Sequence, residues 1–201
     1  MLKDLTIEQF LNELSSDSPA PGGGSIAALS GAVSCALLGM VCSLTTGRKK
    51  YAEFNAFAKE TAVAAAALRN ELQALIDEDS DAYNRVSVAM KMPKETEEDK
   101  KERAAAVQAA LKHAASVPLE TMRRASECIT LIKSSFGKTN PNAESDLGVA
   151  LLCAETAVQA AWLNVEINLD SIRDEDFVRE VRTEGERYLT SLSSHISISA
   201  P

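Results

Sequence analysis

Asp79 is a carboxylate set in an apolar row. At about 100° per residue it falls on the same helical face as Leu72, Leu75, Ile76, Tyr83 and Val86. A charge on such a stripe is costly unless it is paired or used. Desolvation raises the pKa of a carboxyl placed there and suits it to general acid or base work. The structural alternative is an aspartate bonded to a helix N-terminus or to an arginine. Its neighbours Asp77, Glu78 and Asp81 point off this face and read as solvated charge.

A second group of chemistry-bearing residues opens an uncharged stretch from Ser18 to Gly47. Pro19-Ala20-Pro21-Gly22-Gly23-Gly24-Ser25 leads into the apolar, small-residue segment Ile26 to Leu44. Glycines at Gly22, Gly23 and Gly24 allow positive φ and close backbone approach. Ser25 stands where a helix N-cap is wanted. Free N–H groups at the positive end of a helix suit an anion. The spacing is neither that of a dinucleotide fingerprint nor that of a phosphate loop with its lysine, so a plain tight turn is the alternative. Arg48-Lys49-Lys50 is the compact basic cluster nearest to this turn in sequence.

Ser145 and Asp146 begin a later helix, where a carboxylate also complements the helix dipole. Asp146, Ala150, Cys153, Ala157, Asn164 and Asn168 share one stripe of that helix. Buried amides of this kind must find partners. Asp146 and Asn164 are about 27 Å apart at 1.5 Å per residue, so one straight helix cannot bring both to one site.

The elements that must position these groups are helical. The spacing predicts a short amphipathic helix from Thr6 to Leu14 and a loop from Ser15 to Gly24. A helix from about Ser25 to Thr46 follows, then a long one from Ala52 to Met90. Thr96 and Asp99 form an N-cap pair for a fourth helix. That helix reaches Ala115 and is interrupted or bent at Pro118, with helical pattern resuming from Leu119 to Ser135. Phe136 to Ala143 is a loop. Further helices cover about Glu144 to Leu169 and Asp174 to about Ser194, and 195–201 read as a frayed tail. Ala27, Gly31, Cys35, Gly39 and Ser43 make an i, i+4 row of small residues that admits a close helix neighbour. The expectation is an all-α, single-domain bundle of long helices over 1–201, with a central small-residue helix buried on all sides, in part by other subunits.

Composition bounds the function. The chain has 201 residues, enough for one domain with a real core. Its net charge of −8 argues against nucleic acid and anionic membranes as partners. The Ile26–Leu44 run is long enough to span a bilayer, but its serines and glycines fit a buried helix better. Cys35, Cys42, Cys128 and Cys153 show no metal or C-x-x-C spacing and read as free thiols. With no signal peptide in view, they point to a reducing, cytoplasmic setting. His113 and His195 are isolated and read as surface or capping residues. No metal site is expected.

These residues carry a resemblance. Pro19–Ser25 with Gly47-Arg48-Lys49-Lys50-Tyr51 resembles the opening of the formiminotransferase-cyclodeaminase C-terminal family, which includes methenyltetrahydrofolate cyclohydrolases. Asp79–Tyr83, Met92–Thr96, Ser116–Leu119, Ser145-Asp146 and Asn164–Asn168 are similar to its later blocks, in the same order. Thr139–Glu144 departs from the family's Gly-Asn pattern before the Ser-Asp block. The similarity covers nearly the whole chain and leaves no formiminotransferase domain within it.

The resemblance implies an all-helical fold, a homodimer or larger assembly, and a tetrahydrofolate derivative as substrate with no tightly bound cofactor. Joined to that substrate class, the reading of the residues gives catalytic roles to Asp79 and Asp146. Substrate binding would fall to Gly22, Gly23, Gly24, Ser25, Lys49, Lys50, Tyr83, Ser145 and Asn164. The first expected reaction is the cyclodeaminase step: folate N10 attacks the N5-formimino carbon and ammonia leaves. The alternative is the cyclohydrolase step, in which water opens the methenyl ring to 10-formyltetrahydrofolate. A third reading is a catalytically silent helical partner of another folate enzyme. Folate ends in glutamate carboxylates, which the glycine turn and Lys49/Lys50 could hold.

Overall fold

The structure is a computed structural model that describes residues 1–192. His195 and the 195–201 tail lie outside the described residues. Six α-helices account for the fold: α1 (Ile7–Leu14), α2 (Gly23–Thr45), α3 (Asn55–Met90), α4 (Glu97–Ser135), α5 (Glu144–Leu169) and α6 (Glu175–Leu192). Short 3-10 turns precede α1, α3 and α5. No strand occurs among the described residues.

Helices α2 to α5 form an up-and-down bundle in which each is antiparallel to the next. Cross-helix contacts set the register. Gly24 meets Asp79 and Gly31 meets Leu72 across α2 and α3. Arg124 pairs with Glu71 and His113 with Glu78 across α3 and α4. Asn168 reaches Ala114 across α4 and α5. Ser34 donates to the Ala150 carbonyl (2.6 Å) and Thr45 accepts from Asn140 N–H (2.9 Å), so α5 also runs antiparallel to α2. Helix α1 lies over α2 and α3 through Phe10, which packs with Ala28 and Ile76. Helix α6 is held to α4 by the Arg123–Glu184 pair (2.8 Å) and to α5 by Gly185 against Trp162.

Small side chains let these helices close up. A Cβ on Gly31 would stand 3.0 Å from a Leu72 methyl and 3.5 Å from Ala157 Cβ, so the glycine sets the α2–α3–α5 spacing. Ala27 and Cys35 of the same row are buried, while Ser43 is exposed. Leu38, Leu72, Met122, Ile132, Leu147 and Val158 fill the interior. The expectation that α2 is buried on all sides needs correction within one chain. Two sides are packed by α3 and α5, but Val33, Met40 and Leu44 remain about two-fifths exposed on its outer side.

The helix ends also show where local reading succeeds. Thr96 and Asp99 form the expected reciprocal capping box at α4, and Thr6 with Gln9 forms another at α1. Gly47 (φ 74°) and Gly137 (φ 71°) are the glycines in the left-handed region, just beyond α2 and α4. Gly22, Gly23 and Gly24 are not, so positive φ is not what that turn requires.

Pro118 does not interrupt α4, which runs unbroken from Glu97 to Ser135. Proline has no N–H to give to the carbonyl four residues earlier. That carbonyl is Ala114, and Asn168 Nδ2 of α5 donates to it at 3.0 Å. The side chain of a neighbouring helix thus supplies the bond that the proline cannot.

Candidate functional site

The site is built where α2 begins. Helix α3 continues past that point, from Asp79 to Met90, for about 16 Å, and α4 accompanies it, leaving an open corner at the bundle's end. Gly22 is the N-cap residue of α2 and contributes no side-chain cap bond. Ser25 is therefore not the N-cap expected from the sequence. It lies in the first turn, fully buried, and its hydroxyl donates to Asp79 Oδ2 at 2.9 Å. Its backbone N–H also bonds the Asp79 carboxylate. The anion at the positive end of α2 is a carboxylate of the same chain, presented by α3.

Gly24 makes this possible. A Cβ there would lie 2.0 Å from Asp79 Oδ1. Gly23 is exposed, and a Cβ on it would stand 3.2 Å from Asn164 Nδ2. The close-approach role expected of the glycines is thus met by two groups at once, a carboxylate from α3 and an amide from α5. Asn164 also donates to the Ala160 carbonyl at 2.9 Å. Its stripe partner Asn168 is occupied with Ala114 and with the Asn164 carbonyl.

Asp79 is partly buried, and desolvation pushes its pKa above the ordinary carboxylate value, against the lowering effect of the bonds from Ser25. The structural and the acid–base expectation for Asp79 meet in one group: it bonds a helix N-terminus, and its carboxyl is held in a form that protonates more readily. Tyr83 stands one helical turn further along α3. It is 47% exposed and so is not part of the packed stripe. Glu78 and Asp77 are not simply solvated: Glu78 bonds His113 Nε2 at 2.8 Å, and Asp77 accepts from Leu2 N–H. His113, read as isolated, thereby ties α4 to α3 one residue from Asp79.

The other predicted residues lie at the opposite end of α2. Lys49 and Lys50 are exposed on the 3-10 turn Lys49–Phe54. Ser145 and Asp146 sit in the first turn of α5. A cavity of about 170 Å³ opens here between Lys50, Tyr51, Phe54, Thr139, Asn140 and Glu144. Tyr51 Oη donates to Asn140 Oδ1 at 2.9 Å, and Lys50 Nζ lies 5.5 Å from the Tyr51 ring centre. Asn140 falls in the segment that departs from the family pattern, yet it ties this loop to both α2 and the Lys-Tyr turn. Sequence reasoning missed its role, and its Asx turn onto Asn142 N–H was the available signal.

One chain thus gathers Gly22–Ser25, Asp79, Tyr83 and Asn164 at one end of α2, and Lys49, Lys50, Ser145 and Asp146 at the other. The length of α2, about 34 Å for its 23 residues, separates them.

The site is thus a partly buried carboxylate closed onto a glycine-lined helix start within an all-α bundle. Residues 6–187 match the model of the formiminotransferase-cyclodeaminase family, and the chain belongs to that family. It is 44% identical over 175 residues to the methenyltetrahydrofolate cyclohydrolase of Methylorubrum extorquens, covering 87% of this chain and 84% of that one. It is 36% identical over 176 residues to the formimidoyltransferase-cyclodeaminase of Sus scrofa, covering 88% of this chain and 32% of that longer protein. The crystal structure of formiminotetrahydrofolate cyclodeaminase from Thermotoga maritima superposes with a TM-score of 0.86 at 28% identity, over 96% of this chain and 92% of that one. The family and the all-α fold expected from the sequence are both found.

Proposed function

We propose that this protein is a tetrahydrofolate one-carbon enzyme that hydrolyses 5,10-methenyltetrahydrofolate to 10-formyltetrahydrofolate. The observation that carries the proposal is Asp79, a carboxyl with a raised pKa at the open corner, together with a cyclohydrolase relative matched along most of both chains. Water adds to the methenyl carbon and gives one proton to Asp79. The C–N5 bond then breaks, and Asp79 returns that proton to N5. The second proton of the water is released as the formyl carbonyl forms on N10. One carboxyl whose pKa is raised by desolvation serves both transfers. Asn164 and the exposed edge of Gly22–Gly23 lie beside it to orient the ring. Within one chain Asp146 lies at the far end of the bundle, so a catalytic part for it in this step requires a second protomer.

The cyclodeaminase reaction is the second reading, favoured by the structural match along nearly all of both chains. It uses the same carbon and the same acid–base need, with ammonia in place of water. The pure protein should be given each substrate in turn. Loss of methenyl absorbance above the spontaneous rate supports the first reading, and ammonia release from 5-formiminotetrahydrofolate supports the second. No turnover of either favours a silent partner.

The working unit we propose is a homodimer in the cytoplasm, closed over α2. The outer side of α2 carries Val33, Ala36, Met40 and Leu44 without a charge, and neighbouring α5 exposes Val149, Leu152, Leu163 and Ile167. An isologous two-fold crossing at Ala36 sets Gly23 of one protomer level with Lys49 of the partner subunit. That arrangement completes two sites, each with an acid–base end and a basic tail end.

A further inference from the structure

We propose that Ser25 is the positioning residue that lets Asp79 take up and release a proton without leaving the first turn of α2. The inference rests on the acid–base reading of Asp79 and deepens it. Ser25 is fully buried, so it does not touch substrate. Its hydroxyl faces three oxygens: Asp79 Oδ2 at 2.9 Å, the Ile76 carbonyl at 3.2 Å and Ser80 Oγ at 3.4 Å.

A serine hydroxyl has one proton to donate and two lone pairs to accept with. With Asp79 ionised, the Ser25 proton points at Oδ2, and Ser80 can donate to Ser25. With Asp79 protonated, the carboxyl O–H donates to Ser25 Oγ, and the Ser25 proton turns to the Ile76 carbonyl. No buried oxygen is left without a partner in either state. The hydroxyl only rotates, so the proton gained by Asp79 is the one lost by the attacking water. A carboxylate capped by backbone N–H groups alone would lack the second arrangement, because an N–H cannot accept.

The surroundings leave Ser25 as the adjustable partner. Helix α2 carries no titratable acid or base in its first turns, and α5 presents the neutral Asn164. On α3, Glu78 is engaged by His113 of α4 (2.8 Å) and by Arg85 (3.4 Å), and Asp77 by Leu2 N–H. Asp81 is exposed.

The test follows the Asp79 carboxyl carbon by NMR against pH in the full chain, beside the pH profile of kcat/KM. Ser25→Ala removes the bond to the ionised form, so the Asp79 midpoint should rise by about one pH unit, and the kinetic limb with it. Ser25→Cys, a weaker donor of similar shape, should rise part of the way, and it carries the test if the alanine variant does not fold. A midpoint in either folded variant equal to that of the parent protein overturns the inference. The two readings fail separately. Asp79→Asn with unchanged turnover overturns the acid–base role, whatever the titration shows. An inactive Asp79→Asn beside an unmoved Ser25→Ala midpoint overturns only the role of Ser25.

Discussion

Gly24 and Asp79 are in direct contact across α2 and α3, with no room for a methyl group between them: a Cβ on Gly24 would lie 2.0 Å from Asp79 Oδ1. The clashing atom is the end of a side chain, which can rotate away. Gly24→Ala should therefore leave the bundle folded but drive the carboxylate off Ser25. We expect a stability loss of about 1–3 kcal/mol, as for other overpacked sites, and a fall in turnover of roughly 10²-fold or more. Circular dichroism and denaturant melts beside the methenyl assay check this. An active, normally stable Gly24→Ala protein would refute the contact.

Asp79→Asn separates stability from activity. The native carboxyl titrates above its ordinary value, with desolvation as the main cause. For such a group the sign is fixed: its stabilising contribution is full at acid pH and is lost as pH rises through the raised native pKa. Above that raised pKa the ionised form of Asp79 therefore supports the fold less than the protonated form does. Asparagine keeps an oxygen for Ser25 and cannot ionise. The variant should melt no lower than the parent at pH 7, the difference should vanish towards acid pH, and turnover should drop by roughly 10² or more. A variant that melts well below the parent at pH 7 would mean that the charge itself holds α2 in place.

How much of this was legible in the sequence depends on whether a feature is periodic or paired. The Asp79 stripe followed from helical spacing, and so did the capping box at Thr96 and the small-residue row through Gly31. The Gly23–Asn164 approach did not. It depends on the antiparallel register of α2 against α5, and that register is set by packing over the whole interface. The same limit hid the true position of Ser25. A serine after three glycines looks like a cap by local rules, but Asp79 caps from another helix, so the helix starts earlier. Pro118 shows the point most clearly. Its missing N–H is a local fact, whereas the donor that replaces it sits on α5.

Asn168 can be tested on that ground. Removing its amide leaves the Ala114 carbonyl without the bond that Pro118 cannot make. Asn168→Ala should cost about 1–3 kcal/mol in a urea melt, the usual penalty for an orphaned buried acceptor. In a Pro118→Ala background the helix regains its own N–H, and the same substitution should cost clearly less. Additive losses in this double-mutant cycle would show that the two residues do not share the carbonyl.

The dimer reading is exposed to a clean variant because Gly39 has open space around it, with nothing within 4 Å of a Cβ built there. The Cβ of a leucine at this position meets no atom of its own chain, and leucine is a better helix former than glycine. Gly39→Leu should therefore keep the monomer fold intact. Any loss of assembly mass by light scattering then reports on a partner's surface. We expect the assembly to split or aggregate. If the variant keeps the parent's mass and melting temperature, α2 is not the contact between subunits at this level.

Lys50 tests the far half of the site. Its ammonium stands over Tyr51, at the mouth of the small cavity by Asn140, and nothing in its own chain brings it to Asp79. If the partner's acid–base end faces it, the lysine meets the folate tail and stays clear of the reacting carbon. Lys50→Ala should then raise KM more for polyglutamylated than for monoglutamylated folate, with kcat almost unchanged, because uniform binding is lost without loss of transition-state contacts. The pairing is between exposed charges, so added salt should erode the preference for the longer tail in the parent protein and leave the variant indifferent to salt. Gly39→Leu protein that has split into monomers should show the same loss of tail preference, since the lysine and the acid–base end would no longer share a site. Equal KM changes for both substrates would leave Lys50 an ordinary surface charge and would return the tail to the residues around Asp79.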